Sequence, residues 1–114
     1  MSTITAVVTV LLAAVLAIAA IRKLTHREDV VAAYAKVGVP EERLNQLAFV
    51  LLLGASGLLL GLAWVPIGIA ACAGVLVYFA LAIAAHVRHD DAANLPAPVA
   101  IESMALAVLA LLVL

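Results

Sequence analysis

The chain has 114 residues, 68% hydrophobic and 11% charged, with a formal net charge of −1. Soluble domains are near half apolar and a quarter charged, so this composition excludes a water-soluble fold and indicates one integral membrane domain over residues 1–114. The single cysteine, Cys72, excludes an intramolecular disulfide, a CxxC couple and a thiolate-held cluster within one chain.

The first apolar run has no basic residue ahead of it and exceeds the roughly 7–15 residues of a signal-peptide core, so it predicts a transmembrane helix over about 3–21. It stops at Arg22-Lys23, whose charges belong at the headgroups. Thr25 and Glu28 have capping-box spacing, and Val30, Tyr34 and Val37 recur at helical intervals, with Arg27 and Lys36 turned outward. Gly38 then stops the helix and Pro40 prevents its continuation. This predicts a short amphipathic helix over about 26–37, lying along the membrane interface.

Pro40-Glu41-Glu42 opens a second membrane helix over about 41–64. Gly57 and Gly61 form a small-residue strip on it, suited to contacts within or between chains, and Trp64 provides an interfacial aromatic before the turn at Pro66. A third helix is expected over about 67–86 and a fourth over about 98–114, separated by Asn94-Leu95-Pro96-Ala97-Pro98. The expected architecture is all-α: a four-helix membrane bundle with an interfacial helix between helices 1 and 2. Arg22, Lys23, Arg27, Lys36, Arg43 and Arg88 all lie in two of the connecting regions. The positive-inside rule puts those regions in the cytoplasm and both termini outside.

Alternating helices would gather the polar groups at one face. Glu102 lies one turn past Pro98, about 6 Å into the membrane by helix rise, where an ionisable side chain usually faces the bundle and has a partner. Arg22, Lys23, Arg88 and His86 are its candidate partners. One reading of Glu102 is functional; the other is an ion pair that fixes helix register. Arg22, Lys23, Tyr78, His86, Arg88 and Glu102 are the candidate ligand-binding residues, with Glu102 and His86 the candidates for any catalysis. Tyr78, two turns before His86, would line a cavity with its hydroxyl toward Glu102 or simply pack the core. His86, His89 and Asp90 have the spacing of a helical metal site but lack a clear further ligand, with only Glu102 or His26 to come across. No intrinsic metal or haem is therefore expected, and these residues otherwise solvate a helix end whose dipole favours His and Arg. No catalytic triad, phosphate loop or nucleotide fingerprint occurs, and no nucleic-acid partner is expected.

Four stretches in this order carry a family resemblance: Arg22-Lys23-Leu24, the run from Ala33 to Pro40, the glycine-rich run from Gly54 to Leu62, and the run from Ala85 to Asp90. Together they resemble the DoxX-like family of small four-helix membrane proteins of the bacterial inner membrane. The resemblance implies association with quinone-linked oxidoreductases, and for other relatives a part in redox homeostasis or membrane-protein assembly. The chain departs from the family at Leu51-Leu52-Leu53, where many relatives carry an acidic residue.

Three functions follow in order of expectation. The first is an accessory, quinone-associated subunit of a membrane oxidoreductase, without an intrinsic cofactor. The second is a binder or isomerase-type enzyme for a small apolar ligand (quinone, lipid or terpenoid) held near Glu102, His86 and Tyr78. The third is a structural or assembly factor. Lipid contact and a homo-oligomer joined through the glycine strips accompany all three.

Overall fold

Ser2 starts the first helix by accepting a 3.1 Å hydrogen bond from Thr5 N at its hydroxyl. From there the computed structural model, which describes residues 2–114, is helical throughout, and Met1 lies outside the described residues. The elements are α1 (Thr3–Leu24), α2 (Glu28–Lys36), α3 (Leu44–Leu60), α4 (Val65–Arg88) and α5 (Pro96–Val113), with single 3-10 turns at Glu41–Arg43 and Ala92–Asn94.

The four long helices alternate in direction and close a ring: α1 packs on α3, α3 on α4, α4 on α5, and α5 back on α1. Their inward faces form one core, including Leu12 and Leu16 of α1, Leu51 and Leu58 of α3, Cys72 and Phe79 of α4, and Ala105 and Val108 of α5. The outside is equally apolar. Leu11, Phe49, Leu81 and Leu106, one on each long helix, are more than half exposed. Thr3–Leu24, Glu41–Leu60, Val65–Arg88 and Pro96–Val113 are each long and apolar enough to cross a membrane, and the chain is a multi-pass membrane protein. Because lipid is as apolar as leucine, the helices associate through close packing rather than water exclusion.

Glycine makes that packing possible at the α3–α4 hairpin. A Cβ on Gly61 would stand 2.5 Å from Gly68 Cα, and one on Gly57 would stand 2.8 Å from Ala71 Cβ. Gly57 and Gly61 thus make close contacts with α4 within the chain.

Several boundaries differ from the sequence reading, for local reasons. Helix α1 continues through Arg22 and Lys23 to Leu24, and Thr25 closes it, its hydroxyl donating to Arg22 O at 2.7 Å. Thr25 is therefore not the cap of a capping box; α2 starts at Glu28 behind Arg27, without a side-chain cap. The second membrane helix begins as the 3-10 turn at Glu41–Arg43 and ends at Leu60 rather than near Trp64, which instead precedes α4. Helix α4 starts two residues earlier than expected, with Pro66 in its first turn, and ends two residues later, at Arg88. Helix α5 starts at Pro96.

Two helices end in the same motif. At α2, Gly38 takes a left-handed conformation (φ 82°), with Val39 N donating to Tyr34 O and Gly38 N to Ala35 O. At α4 the left-handed residue is Asp90 (φ 52°), with Asp91 N donating to His86 O at 2.8 Å and Asp90 N to Val87 O. Both are Schellman caps, and each reverses the chain sharply.

Candidate functional site

The reversal at Asp90 turns Asp91 back under the end of α4. Its side chain is 1% exposed and sits at the centre of a polar knot. Lys36 Nζ lies 3.1 Å from Asp91 Oδ1, and Asn94 Nδ2 donates to both carboxylate oxygens at 2.9 and 3.0 Å. Burial raises the Asp91 pKa, but the hydrogen bonds from Lys36 and Asn94 and the charges of Lys36 and His86 outweigh it and hold the carboxyl below its usual 3.8. The Lys36–Asp91 pair straps α2 across the end of the bundle. A second contact secures it: the His89 ring lies so close to Gly38 that a Cβ there would meet His89 Nε2 at 3.0 Å.

Beneath α2 lies a cavity of about 220 Å³. Asp29, Val30, Ala33 and Tyr34 on one face of α2, with Val37 just after it, form its roof. Arg22 and Lys23 of α1, Tyr78, Ala82 and His86 of α4, Asp91 and Asn94 of the turn, and Pro98 of α5 form its walls. Lys23 is the unusual member, only 4% exposed with its ammonium 4.8 Å from the centroid of the Tyr34 ring. A cation over an aromatic face gains about 0.5–2 kcal/mol, much less than a carboxylate partner would give a buried charge.

The other charges are already matched. Asp91 takes Lys36, and Asp29 lies 3.4 Å from Arg27. Among the described residues, Arg22 and Lys23 have no carboxylate within 4.0 Å. The cavity therefore has a positive balance suited to an anionic or strongly accepting group. His86 forms part of the wall. Its Nδ1 donates to Ala82 O at 2.8 Å, which fixes the ring and aims Nε2 at Asp91 Oδ2, 3.7 Å away.

Four of the six candidate ligand-binding residues, Arg22, Lys23, Tyr78 and His86, thus meet in one cavity. Arg88 is exposed and does not line it. Glu102 lies one turn deeper than Pro98 on the same inward face, and its Oε1 is buried without a hydrogen-bond partner among the described residues. None of Arg22, Lys23, Arg88 or His86 is within ion-pair distance of it, and Tyr78 does not hydrogen-bond to it.

His86, His89 and Asp90 do not converge. The helix stops at Arg88 and Asp90 turns left-handed, while both histidine rings bond their own helix, His89 Nδ1 to Ala85 O at 2.9 Å. Among the described residues no three His, Cys, Asp or Glu side chains stand close enough to hold a metal ion. His26 lies elsewhere, joining the end of α1 to the start of α3 through Glu41 Oε2 (3.0 Å) and Asn45 Oδ1 (2.7 Å). Those two bonds, with the Glu41 charge, raise its pKa above 6.5 against a smaller lowering by burial.

Tyr34, Asp91 and Asn94 were not among the candidate site residues read from the sequence. Tyr34 was legible as an inward position of the amphipathic helix; Asp91 was not, because its burial depends on the left-handed turn before it.

No curated protein and no solved structure matches the chain. A sequence model described as the DoxX-like family matches residues 7–110, which takes in α3 and α4 in full, most of α1 and α5, and the residues that line the cavity beneath α2. The four stretches that carried the resemblance fall within that match, and the chain belongs to the DoxX-like family.

Proposed function

We propose that this protein is a quinone-associated accessory subunit of a membrane oxidoreductase system, holding a quinone headgroup beneath α2 at the cytoplasmic face. The observation that supports this most is Lys23: a buried ammonium lining a cavity, with an aromatic face beside it and no carboxylate partner among the described residues. The cavity's size agrees. Sites that enclose a whole drug-sized ligand measure roughly 300–1,000 Å³, so about 220 Å³ admits a ring-sized head without its tail. A bound quinone would supply carbonyl acceptors and two-electron redox chemistry; the protein's part is binding and orientation. Lys23 and Arg22 donate to a carbonyl or anionic oxygen, the Tyr34 and Tyr78 rings bound the head, and His86 presents Nε2 at the cavity wall beside Asp91. The redox centre itself belongs to the partner subunit. The basic residues around this end support its cytoplasmic orientation.

Equilibrium binding of a tailless benzoquinone to the detergent-purified protein tests this reading. Lys23→Met, which keeps the length and loses the charge, should weaken binding about tenfold, the loss of one charge-assisted hydrogen bond. Equal binding by both proteins would refute it.

One observation favours the enzyme reading. A buried carboxylate oxygen without a partner, as at Glu102, is uncommon unless a ligand or a proton-transfer role accounts for it. Glu102→Gln distinguishes the two: loss of ligand retention at unchanged expression and oligomer size indicates a site residue, whereas lowered stability with unchanged ligand content indicates a structural one.

A further inference from the structure

A head-sized cavity raises the question of where the rest of an apolar ligand goes. On the lipid-facing side of α3 and α4 lies a second hollow, about 380 Å³, walled by Val50, Leu53, Gly54 and Gly57 on one helix and by Ala70 and Gly74 on the other. It borders the polar cavity at Tyr78, the one residue lining both. From Tyr78 it runs toward the opposite membrane face as far as Ile67, a rise of about 16 Å along α4.

Gly74 lies open to the hollow. Gly57, Gly61 and Gly68 each lie where a Cβ would press on a neighbouring helix, so packing accounts for them. A Cβ on Gly74 would meet nothing within 4 Å. Glycine in a helix interior costs about 0.5–1 kcal/mol relative to alanine. At this position no contact repays that cost; the missing side chain only deepens the groove. Tyr78, with an apolar ring and a polar tip, suits the rim between an apolar channel and a polar chamber. Lys23 lines the polar cavity with Tyr78, is 4% exposed and has no carboxylate partner among the described residues.

We propose that the α3–α4 hollow holds the tail of the ligand whose head occupies the Lys23 cavity, so that the ligand is a single-tailed amphiphile entering sideways from the bilayer past Tyr78. This rests on the head-site reading above and adds its tail site and route of entry. The occupant is the ligand's own chain rather than a second copy of the protein, because the hollow adjoins the polar cavity at Tyr78.

The test is photolabelling in phosphatidylcholine vesicles with a decyl benzoquinone whose chain carries a diazirine, followed by peptide mapping. Labels should concentrate on α3 and α4 residues of the hollow and should fall when tailless benzoquinone is added in excess. Gly74→Leu, which fills the hollow from an uncrowded position, should cut this labelling about tenfold, equivalent to ~1.4 kcal/mol, and leave tailless benzoquinone binding unchanged. Ala70→Phe blocks the same hollow from an exposed position and should act alike. Labels spread over outward residues such as Leu11 and Leu106, labels that tailless quinone does not displace, or cross-links to a second chain would each overturn the proposal. If tailless quinone binds the native protein while the hollow stays unlabelled, the tail site alone fails. If tailless quinone does not bind at all, the head reading fails and takes the tail site with it.

Discussion

Adding one methyl group at Gly61 tests the packing that holds the bundle together. In Gly61→Ala the new Cβ would stand 2.5 Å from Gly68 Cα and 2.9 Å from Gly68 N. Both are backbone atoms, so no side-chain rotation relieves the clash. Carbon atoms need about 3.5–4.0 Å, so α3 and α4 must part by about 1 Å. That movement also loosens the contact of Gly57 with Ala71. Overpacking of this kind costs about 1–3 kcal/mol, and replacing glycine by alanine recovers at most about 1 kcal/mol, less at a helix end such as this one. The expected net destabilisation is about 1–2 kcal/mol. Gly74→Ala is the control: its Cβ meets nothing, so it should be neutral or stabilising by up to about 1 kcal/mol. Denaturant titrations of the two variants in one detergent, followed by circular dichroism, read the difference. A Gly61→Ala protein as stable as the native one would refute the close approach of α3 and α4.

The pH dependence has two signs. The raised pKa of His26 means its bonds to Glu41 and Asn45 stabilise most below 6.5 and that this stability is lost as pH rises through the folded value; His26→Gln should flatten the thermal midpoint across that window. Asp91, held below 3.8, behaves oppositely: its stabilisation is present above 3.8 and disappears as pH falls through the lower folded value, releasing α2, which hydrogen exchange of residues 28–36 should report. Orientation is tested in a Cys72→Ala background with an impermeant maleimide on intact cells. Leu114→Cys should react at once and Ala93→Cys only after permeabilisation; the reverse pattern would invert the proposed topology.

How much of this was legible in the sequence depended on what marks each feature. The membrane helices were legible because their apolar runs are long and end at charges, as at Arg22-Lys23. The end of α2 was legible because Gly38 signals a left-handed residue. The ends of α1 and α4 were not, because His26 (φ 51°) and Asp90 (φ 52°) take that conformation without glycine. That difference hid the site's centre. With α4 continued through residue 90, His86, His89 and Asp90 share a face and Asp91 points away; with the actual reversal, Asp91 is buried under Lys36. The Gly57–Gly61 strip was visible as a close-packing surface, but spacing alone does not say whether the partner is another chain or, as here, Ala71 and Gly68. Glu102 was placed correctly one turn beyond Pro98, yet its expected basic partner is absent at ion-pair distance, because helical spacing fixes the face and not the neighbour. Lys23 was expected at the headgroups, and one further turn of α1 together with the roof of α2 buries it instead.

Native mass spectrometry of protein gently extracted from its own membrane, comparing the native chain with Lys23→Met, addresses the ligand cavity most directly. The account predicts that the native protein retains an amphiphile of quinone-like mass and that Lys23→Met, folded and of the same oligomeric size, loses most of it. Equal retention by the two proteins, or a native protein free of ligand, would contradict it.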